Sequence, residues 1–491
     1  MTDHVEIRPG AYADSVSLLQ VSRDVAAVPG VVAAQVAMAT PLNLEVLDGM
    51  GFAIPDSTPN DMVVALRLAE PDALDPALAA VAAALAATGR RTDDSERSVP
   101  PRTTRSALRG TDADLVLVSV PGQYAFVEAM DALDAGRDVM VFSDNVPLAQ
   151  EVALKRVAAD RGLLVMGPDC GTAMVGGVGL GFANTTAPGP VGIVAASGTG
   201  CQQLMCLLDS AGVGVAAALG VGGHDLGDEV GGLSTRTALQ RLDQDPAVEY
   251  IVVVSKPPAA AVAAEIEKLA ESLSTPVGFA LLGPGRPDLT AAAEQVLAAL
   301  GIDTPQWPTW GTTNSVVEQV APFETVAERP PQDRQQPSSR PPSESGLIRG
   351  LFVGGTLASE AAQIMGSSAE HTVVDFGDDA LTQGRAHPMI DPTLRLDHLA
   401  RAAADPDTAV LLLDVVLGHG AEPDPAAALA PAIEQVRKEH GLPVVTSCVG
   451  TESDPQGLTR QAERLAAAGA EVYLSNAAAT RRAIELAGAS K

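Results

Sequence analysis

Short runs of Val, Leu and Ile alternate along this chain with longer segments rich in Ala and polar residues. The apolar runs 115–120, 138–142 and 162–166 predict three buried strands, and the segments between them have helical periodicity. Strands and helices that alternate in this way are typical of a parallel sheet with helices on both faces. Residues 100–188 are therefore expected to form a βαβαβ unit of the Rossmann type.

The same alternation opens again at Val191 and at Gly350, which predicts two further parallel units over residues 189–325 and 347–491. Residues 326–346 are rich in Pro, Gln, Ser and Arg and predict the linker between these units. Residues 1–90 have shorter strand and helix patterns and predict a small N-terminal α/β domain. The predicted fold class is α/β, with three Rossmann-like or flavodoxin-like parallel-sheet domains after a small α+β domain.

Two predicted strand-to-helix junctions consist of small residues. A helix N-terminus has unpaired N–H groups and the positive end of the helix dipole, and glycine leaves room for an anion to approach them. Either turn alone fits a tight connection without a ligand equally well, but the repeated construction favours a phosphate held between the two turns. Because both turns are expected at the surface, a valine at either central glycine is expected to block phosphate and leave the fold intact. The predicted phosphate-binding residues are Ser197, Gly198, Thr199, Gly354, Gly355 and Thr356, with Gly222 and Gly223 after another strand.

The charge of the chain restricts its partners. Asp and Glu total 61 against 32 Lys and Arg, for a formal net charge of −29, so nucleic acid and anionic membrane surfaces are not expected partners. The 4 cysteines form no Cys-x-x-Cys pair, and neither a disulfide framework nor a metal site is expected. Because no signal peptide or long apolar segment is evident, the predicted location is cytoplasmic.

Three histidines lie in polar or glycine-rich loops where an acid, a base or a phosphate ligand could be placed. His387 follows Arg385 in one loop, His419 lies between two glycines, and His224 follows Gly223. Each of them alone also fits a loop histidine without a catalytic role. Arg385, His387 and His419 are the predicted catalytic residues, and buried thiols are the expected state of Cys170 and Cys448.

The order of these motifs resembles the FdrA-type proteins, which are relatives of the α subunit of succinyl-CoA synthetase and of the nucleoside-diphosphate-forming acyl-CoA synthetases. The loops 384–391 and 449–456 are similar to features of FdrA proteins in particular. The remaining stretches that carry the resemblance are Val120-Pro121, Asp134-Ala135-Gly136, Val146-Pro147, Gly167-Pro168-Asp169-Cys170, Gly192-Ile193-Val194, Ser197-Gly198-Thr199 and Gly220-Val221-Gly222-Gly223.

The resemblance implies that the first sheet is a coenzyme A or nucleotide site, although no cofactor is assigned with certainty. It also implies that the two glycine-rich turns are the paired helix starts that hold a phosphate in the synthetases. The cofactor site would consist of residues at the carboxyl ends of the first three strands: Val120, Pro121, Asn145, Pro147, Pro168 and Cys170.

The chain departs from the synthetase pattern in the segment that carries their phosphorylated histidine. It has Gly283-Pro284-Gly285-Arg286 there, and Lys256-Pro257-Pro258 replaces an acidic segment. The resemblance therefore implies a subunit of a hetero-oligomer that transfers a carbamoyl or acyl group to or from free phosphate, as in oxamate carbamoyl transfer with carbamoyl phosphate as product. The alternatives are the α-type subunit of an acyl-CoA ligase and a non-enzymatic protein that senses coenzyme A or a nucleotide.

Overall fold

A computed structural model describes residues 2–11, 13, 15–89, 101–311, 346–366, 371–382 and 387–488. The chain divides into two compact units, Met1–Pro100 and Pro101–Lys491. Residues 326–345 of the expected linker 326–346 and the candidate catalytic residue Arg385 lie outside the described residues. Among the helices that are described, none has both the length and the apolar character needed to cross a bilayer.

The first unit is a small α+β fold, as the sequence predicted. Its antiparallel sheet has the strand order β1-β3-β2, and the central strand β3 is buried along nearly all its length because its sequence is almost continuously apolar. Its elements are β1 (Thr2–Arg8), α1 (Ser15–Ala26), β2 (Val31–Met38), α2 (Pro41–Gly49), β3 (Met62–Leu68), a 3-10 turn (Pro71–Ala73) and α3 (Leu74–Gly89).

The second unit opens with a parallel sheet of order β4-β5-β6, which confirms the predicted βαβαβ series. Its loops at the carboxyl ends of the strands lie on one edge, where ligands of such sheets bind. Its elements are α4 (Thr104–Leu108), β4 (Leu115–Val118), α5 (Gly122–Asp134), β5 (Asp138–Val141), α6 (Leu148–Asp160) and β6 (Val165–Met166).

A second sheet follows, with the strand order β12-β11-β9-β10-β7-β8. Strands β9 to β12 are parallel, whereas β7 and β8 form an antiparallel hairpin that pairs with β10. The hairpin, residues 172–181, thus lies in the second sheet, although the sequence pattern grouped it with the first. The elements are β7 (Thr172–Val175), β8 (Val178–Gly181), β9 (Val191–Ala195), α7 (Gly198–Ser210), β10 (Val215–Gly220), α8 (Leu233–Asp243), β11 (Tyr250–Ser255), α9 (Ala260–Ala270), β12 (Val277–Leu281) and α10 (Leu289–Ala299).

The third sheet has the order β13-β18-β17-β16-β14-β15. Strands β14 to β18 are parallel as predicted, and β13 adds an antiparallel edge. The elements are β13 (Thr309–Trp310), β14 (Leu347–Phe352), α11 (Gly355–Met365), β15 (Thr372–Asp375), α12 (Asp379–Thr382), α13 (Thr393–Ala404), β16 (Thr408–Val416), α14 (Pro425–His440), β17 (Val444–Val449), α15 (Leu458–Ala467), β18 (Ala470–Tyr473) and α16 (Asn476–Leu486).

Helix α7 lies between the second and third sheets and is buried on all sides from Gly200 to Leu208. Apart from two glutamines, the residues of this buried stretch are apolar or small, as expected for a helix that is enclosed on all sides. Its two glutamines connect it to the third sheet, since Gln202 Nε2 donates to Leu417 O over 3.2 Å and Gln203 Nε2 donates to Leu474 O over 3.1 Å. These bonds fix the N-terminus of α7 relative to the strands of the third sheet.

The first and second sheets are joined by a buried ionic cluster. Lys155 on α6 has a fully buried side chain and lies 2.7 Å from Glu151 Oε1 and 2.8 Å from Asp225 Oδ1. Its ammonium also donates to Val221 O over 2.8 Å, so its three protons are all used. Because Asp225 follows β10, this cluster ties a helix of the first sheet to a loop of the second.

Replacement of Lys155 by Met is expected to destabilise the second unit by about 3–5 kcal/mol, because it leaves two carboxylates buried without their cation. The measurement is the urea unfolding curve followed by circular dichroism. Lys438→Met, at an exposed lysine on α14, is the matched control and should have little effect. A loss below about 1 kcal/mol for Lys155→Met would show that the cluster is not a stabilising link.

Helix α11 is connected to its neighbouring helices by another buried carboxylate, that of Glu360. Glu360 accepts hydrogen bonds from Leu289 N over 2.6 Å and from Asn476 Nδ2 over 2.7 Å, and so connects α11 to α10 and α16. Burial raises the pKa of Glu360 from 4.5 to about 7. Between these pH values the folded chain retains a proton that the unfolded chain has lost, so stability falls as pH rises from about 4.5 to about 7.

Glu360→Gln is therefore expected to reduce the loss of stability between pH 5 and pH 7.5 by an amount on the order of a few kcal/mol. Urea midpoints measured at both pH values test this, with Glu439→Gln at an exposed position of α14 as the control. Burial also raises the pKa of Asp414, to about 6. Asp414 therefore lowers the stability as pH rises, equally in the parent, in Glu360→Gln and in Glu439→Gln. Equal pH dependence in the parent and Glu360→Gln would contradict the assignment.

Candidate functional site

The two glycine-rich turns, which we call the paired helix starts (residues 197–199 and 354–356), lie in direct contact. The hydroxyl groups of Ser197 and Thr356 share a hydrogen bond, and Thr356 N donates to Thr199 Oγ1 over 3.4 Å. A Cβ placed on Gly354 would lie 3.0 Å from Thr199 Cβ. Two helix N-termini separated by about 157 residues thus converge, and the binding of phosphate between them stays a prediction.

Each start has local contacts that set its geometry. Ser197 is the N-cap of α7, and its hydroxyl accepts from Gly200 N over 3.0 Å. At the start of α11 the cap is Gly354, and the buried carboxylate of Asp414 accepts from Val353 N and Gly354 N over 2.8 Å each. In the described residues, the N–H groups of Gly198, Thr199 and Gly355 donate no hydrogen bond.

The expectation that these turns lie at the surface is wrong for Ser197 and Thr356, whereas Gly198, Thr199 and Gly355 are half-buried. Ser197 is 8% exposed and Thr356 is 2% exposed, because each start is covered by the other. A Cβ on Gly198 would have its nearest neighbour, Thr172 Oγ1, at an ordinary 3.4 Å, whereas a Cβ on Gly355 would collide with the carboxylate of Asp375. Gly198→Val is therefore compatible with the fold, and Gly355→Val displaces Asp375.

Lys256 and Asp375, which the sequence did not identify as site residues, flank the start of α11. Lys256 follows β11 and Asp375 ends β15. Lys256 is exposed, and its Nζ lies 2.8 Å from the position that a Cβ on Gly355 would occupy. Burial raises the pKa of Asp375 above its ordinary value, against the attraction of Lys256. The site thus combines free N–H groups with a cation and a carboxyl group.

His387 lies at the same site. Its Nε2 is 3.0 Å from the position that a Cβ on Gly377 would occupy, beside Asp375 Oδ1, and its ring stacks on Phe182 with 5.4 Å between centroids. Nδ1 accepts from Met389 N over 3.2 Å, so Nε2 carries the proton of the neutral ring. Burial lowers the pKa of His387 to about 4, which favours the neutral ring as a hydrogen-bond donor near neutral pH. Its catalytic role stays a prediction.

His419 is exposed and bonds a different segment. Its Nε2 lies 3.1 Å from Thr185 Oγ1, and its N–H donates to Ala183 O over 2.8 Å. The adjacent loop is fixed by Gln456, which accepts from Gly418 N and donates to Gly418 O. These bonds connect His419 and the 449–456 loop to the segment after β8, and among the described residues His419 forms no hydrogen bond with the paired helix starts. Its catalytic role stays a prediction.

The candidate cofactor residues divide into two groups. Val120, Pro121, Asn145 and Pro147 are exposed at the carboxyl edge of the first sheet, where Asn145 and Asp169 have left-handed backbones with φ of 52° and 54°. Non-glycine residues adopt this conformation at a cost, often at ligand sites. Pro168 and Cys170 are buried instead, because the chain there bonds back to β5 and β10. Burial raises the pKa of the Cys170 thiol, which leaves it protonated and unreactive.

A cavity of about 160 Å³ lies beside Lys256. Gly222 is buried against Pro168 O and cannot reach it, whereas Gly223 is open and lines it. Since one water needs about 10–15 Å³ of such space, the cavity has room for a phosphate that bears a small acyl group. Its polar lining comes from Gly223, His224, Glu229, Ser255 and Lys256.

Residues 1–101, which contain the small N-terminal unit, match the family model "AllF, heavy metal-associated domain". The four cysteines are all beyond residue 169, so this unit has no thiolate to offer a heavy metal. Within the described residues, no group of three or more His, Cys, Asp or Glu side chains could hold a metal ion. The residues of this unit therefore do not fit a heavy-metal site.

Residues 351–486, the third sheet and its helices, match the model "CoA-ligase". The α 1 subunit of the ADP-forming succinate–CoA ligase of Archaeoglobus fulgidus is 28% identical over 31% of this chain and 53% of its own length, so the chain spans about half of that relative. The dinucleotide-forming acetyl-coenzyme A synthetase 1 of Ca. Korarchaeum cryptofilum, solved with phosphate and ADP, gives a TM-score of 0.33 at 16% identity, over 81% of this chain and 88% of that one.

The Escherichia coli K12 protein YahF, itself described as uncharacterized, is 34% identical over 96% of this chain and 95% of its own length. The match includes the small N-terminal unit and all three parallel sheets. The resemblance inferred from the ordered motifs is thereby confirmed. The chain belongs to the FdrA-type family of the succinyl-CoA synthetase α-subunit and acyl-CoA synthetase superfamily.

Proposed function

We propose that this chain is a subunit of an enzyme that transfers a carbamoyl or acyl group to or from free phosphate, with oxalurate plus phosphate giving oxamate plus carbamoyl phosphate as the best-fitting reaction. The proposal takes the substrate class from the FdrA resemblance and the reaction type from the site. A site for free phosphate needs donors and a cation that are not already satisfied within the protein.

The observation that carries the proposal is the environment of Gly355. Free N–H groups of Gly198, Thr199 and Gly355 lie at the paired helix starts, and Lys256 Nζ approaches the same turn. Helix N-termini and a lysine are the usual ligands of a phosphate group. Because the chain has lysine where the synthetases have an acidic segment, the anion that it would hold is a mobile phosphate rather than one bound to a histidine.

The same residues suit the chemistry of acyl transfer. Phosphate held by the helix starts and Lys256 would be positioned for attack on a carbonyl carbon, which removes much of the entropic barrier. His387, neutral and with its proton on Nε2, would donate a hydrogen bond to the carbonyl oxygen as negative charge develops there. Burial raises the pKa of Asp375, which favours its protonated form. A protonated Asp375 carboxyl would not repel the phosphate.

The runner-up function is the α-type subunit of an acyl-CoA ligase. It is favoured by the match of residues 351–486 to the CoA-ligase model and by the exposed carboxyl edge of the first sheet, where Asn145 and Asp169 are conformationally strained. Coenzyme A would bind at that edge and supply the thiol that accepts the acyl group. The nucleotide would then have to bind a partner subunit. A third alternative is a protein with neither transferase nor ligase activity that senses coenzyme A or a nucleotide.

We also propose that the chain works in a hetero-oligomer. The matched ligase relatives are named as subunits, and that description comes to this chain only through family membership. Exposed apolar side chains on β4 and α5, namely Leu117, Tyr124 and Val127, are compatible with a subunit contact at the edge of the first sheet. Copurification of a partner encoded beside this chain would support the oligomer.

Lys256→Ala and Gly198→Val are each expected to weaken the binding of inorganic phosphate by about 10-fold to 100-fold, since each removes or blocks about one charge-assisted hydrogen bond worth 1.5–3 kcal/mol. Isothermal titration of the full-length chain with phosphate measures this. Lys438→Ala is the control for a lost positive charge far from the site. Parent-like affinity in both site variants would contradict phosphate binding at the paired helix starts.

Incubation with radiolabelled ATP, with and without a partner subunit, is expected to leave no acid-labile phosphohistidine on this chain. The physical reason is that the loop Gly283 to Arg286, which corresponds to the phosphorylated loop of the synthetases, contains no histidine. Stoichiometric labelling that resists alkali and is lost in acid would instead support the ligase function.

A further inference from the structure

His224 differs from the other described histidines in the way its ring is held. It follows β10 at the mouth of the cavity beside Lys256, with its side chain 66% exposed. Its Nδ1 lies 3.0 Å from Oε2 of Glu151, a carboxylate that is only 1% exposed. An exposed imidazole is therefore oriented by a buried carboxylate, an arrangement that fixes a histidine in catalytic sites.

The buried cluster determines the hydrogen-bonding direction of this pair. Lys155 donates to Glu151 Oε1 over 2.7 Å, and the two side chains form a buried ion pair. An ionised carboxylate only accepts hydrogen bonds, so Nδ1 of His224 donates to Oε2. The lone pair of the neutral ring is then on Nε2, which is the atom free to accept a proton from a ligand.

Asp225, the other carboxylate of the cluster, does not compete for His224. It accepts from Ser234 N over 3.1 Å and Thr235 N over 2.9 Å at the N-terminus of α8, and from the Thr235 hydroxyl. Its charge is thus balanced by Lys155 and the helix start. Glu151 Oε2 remains for His224.

The cavity connects His224 to the phosphate site of the proposed function. Lys256 lines the cavity together with His224 and also approaches Gly355 at the start of α11. A phosphate bound by Lys256 would accordingly have its outer oxygens directed into a space that His224 borders. Glu229 is the acidic side chain in the same lining.

We propose that His224 is the general acid and base of the transfer reaction, with Glu151 as the positioning residue that holds its ring. This assignment rests on the proposed function. As an oxygen of hydrogen phosphate forms its bond to the carbamoyl carbon, Nε2 of His224 takes the proton of that phosphate. The bond between this carbon and the oxamate nitrogen then breaks, and the same proton passes from Nε2 to the nitrogen.

The step balances without a further reactant. Oxalurate and hydrogen phosphate carry three negative charges in total, and oxamate with carbamoyl phosphate carries the same number. His224 begins and ends the cycle neutral, whereas His387 donates its hydrogen bond throughout. The two histidines therefore have different tasks, and the difference comes from burial: His387 is enclosed and His224 is open to the cavity.

A purely structural role for His224, in which it only shields the charge of Glu151, predicts different behaviour. Removing the ring would then alter stability and leave turnover per folded molecule unchanged. The acid and base role predicts a fall in kcat with little change in the KM for phosphate or in the unfolding midpoint. This split between kcat and KM separates the two.

The first experiment measures oxalurate phosphorolysis and its reverse, from oxamate and carbamoyl phosphate, with the full-length chain. His224→Gln is expected to lower kcat by about 100-fold or more, and Glu151→Gln by about 10-fold to 100-fold. In Glu151→Gln the amide oxygen can still accept from Lys155, so the cluster persists. Added imidazole should partly restore His224→Ala, and His440→Ala on the exposed end of α14 is the control.

The second experiment needs no turnover. Diethyl pyrocarbonate modifies exposed imidazoles, and mass spectrometry gives the rate at His224 with and without inorganic phosphate. Phosphate is expected to slow modification at His224 at least several-fold in the parent, to do so much less in Lys256→Ala, and to leave His440 unaffected.

The outcomes separate the two proposals. If the parent is active and His224→Gln retains kcat within about 3-fold, the role of His224 is overturned and the proposed function stands. If the parent has no transfer activity with any partner subunit present, the proposed function fails and the chemical step of His224 fails with it. If phosphate does not protect His224, this residue does not border the phosphate site, whatever the activity.

Discussion

The arrangement of the site depends on one buried cation. Lys155 lies on the first sheet's helix α6, and its three protons are shared among Glu151, Asp225 and Val221 O. Glu151 in turn holds His224, and Asp225 holds the start of α8. Because an uncompensated charge in this environment costs several kcal/mol, the three elements can occupy only positions that satisfy the lysine. The loop after β10 borders the cavity beside Lys256, and its bond to Lys155 thus holds it in one position.

The paired helix starts follow a related principle. Two positive helix ends repel each other, and the protein offsets this with groups of its own: the hydroxyls of Ser197 and Thr356 and the carboxylate of Asp414. The compensation is partial, since N–H groups of Gly198, Thr199 and Gly355 have no acceptor among the described residues. An anion would complete the arrangement, which is why we propose phosphate as its ligand even though the chain has a net charge of −29.

Burial shifts the pKa values of several side chains at this site, and the two histidines His387 and His224 differ in how far they are buried. Asp414 and Asp375 both have pKa values raised by burial, and His387 has a pKa lowered to about 4 for the same reason. His224 lies in the open, where a carboxylate orients it. The different roles that we propose for His387, a neutral hydrogen-bond donor, and His224, a general acid and base, therefore rest on their positions in the fold, because the residue type is the same.

The sequence by itself determined the parallel sheets, the small first domain and the two glycine-rich helix starts, because apolar periodicity and glycine after a strand are local signals. The family followed from the order of the motifs, which resembles that of the FdrA-type proteins. It did not determine that β7 and β8 pair with β10, since strand pairing is a choice among distant segments. It also placed the helix starts at the surface, whereas each start buries the other. Lys256, Asp375 and the Glu151–His224 pair could be assigned to the site only from the tertiary structure. Each is an ordinary charged residue in its own segment, and its function depends on which parts of the chain the fold brings within a few ångströms.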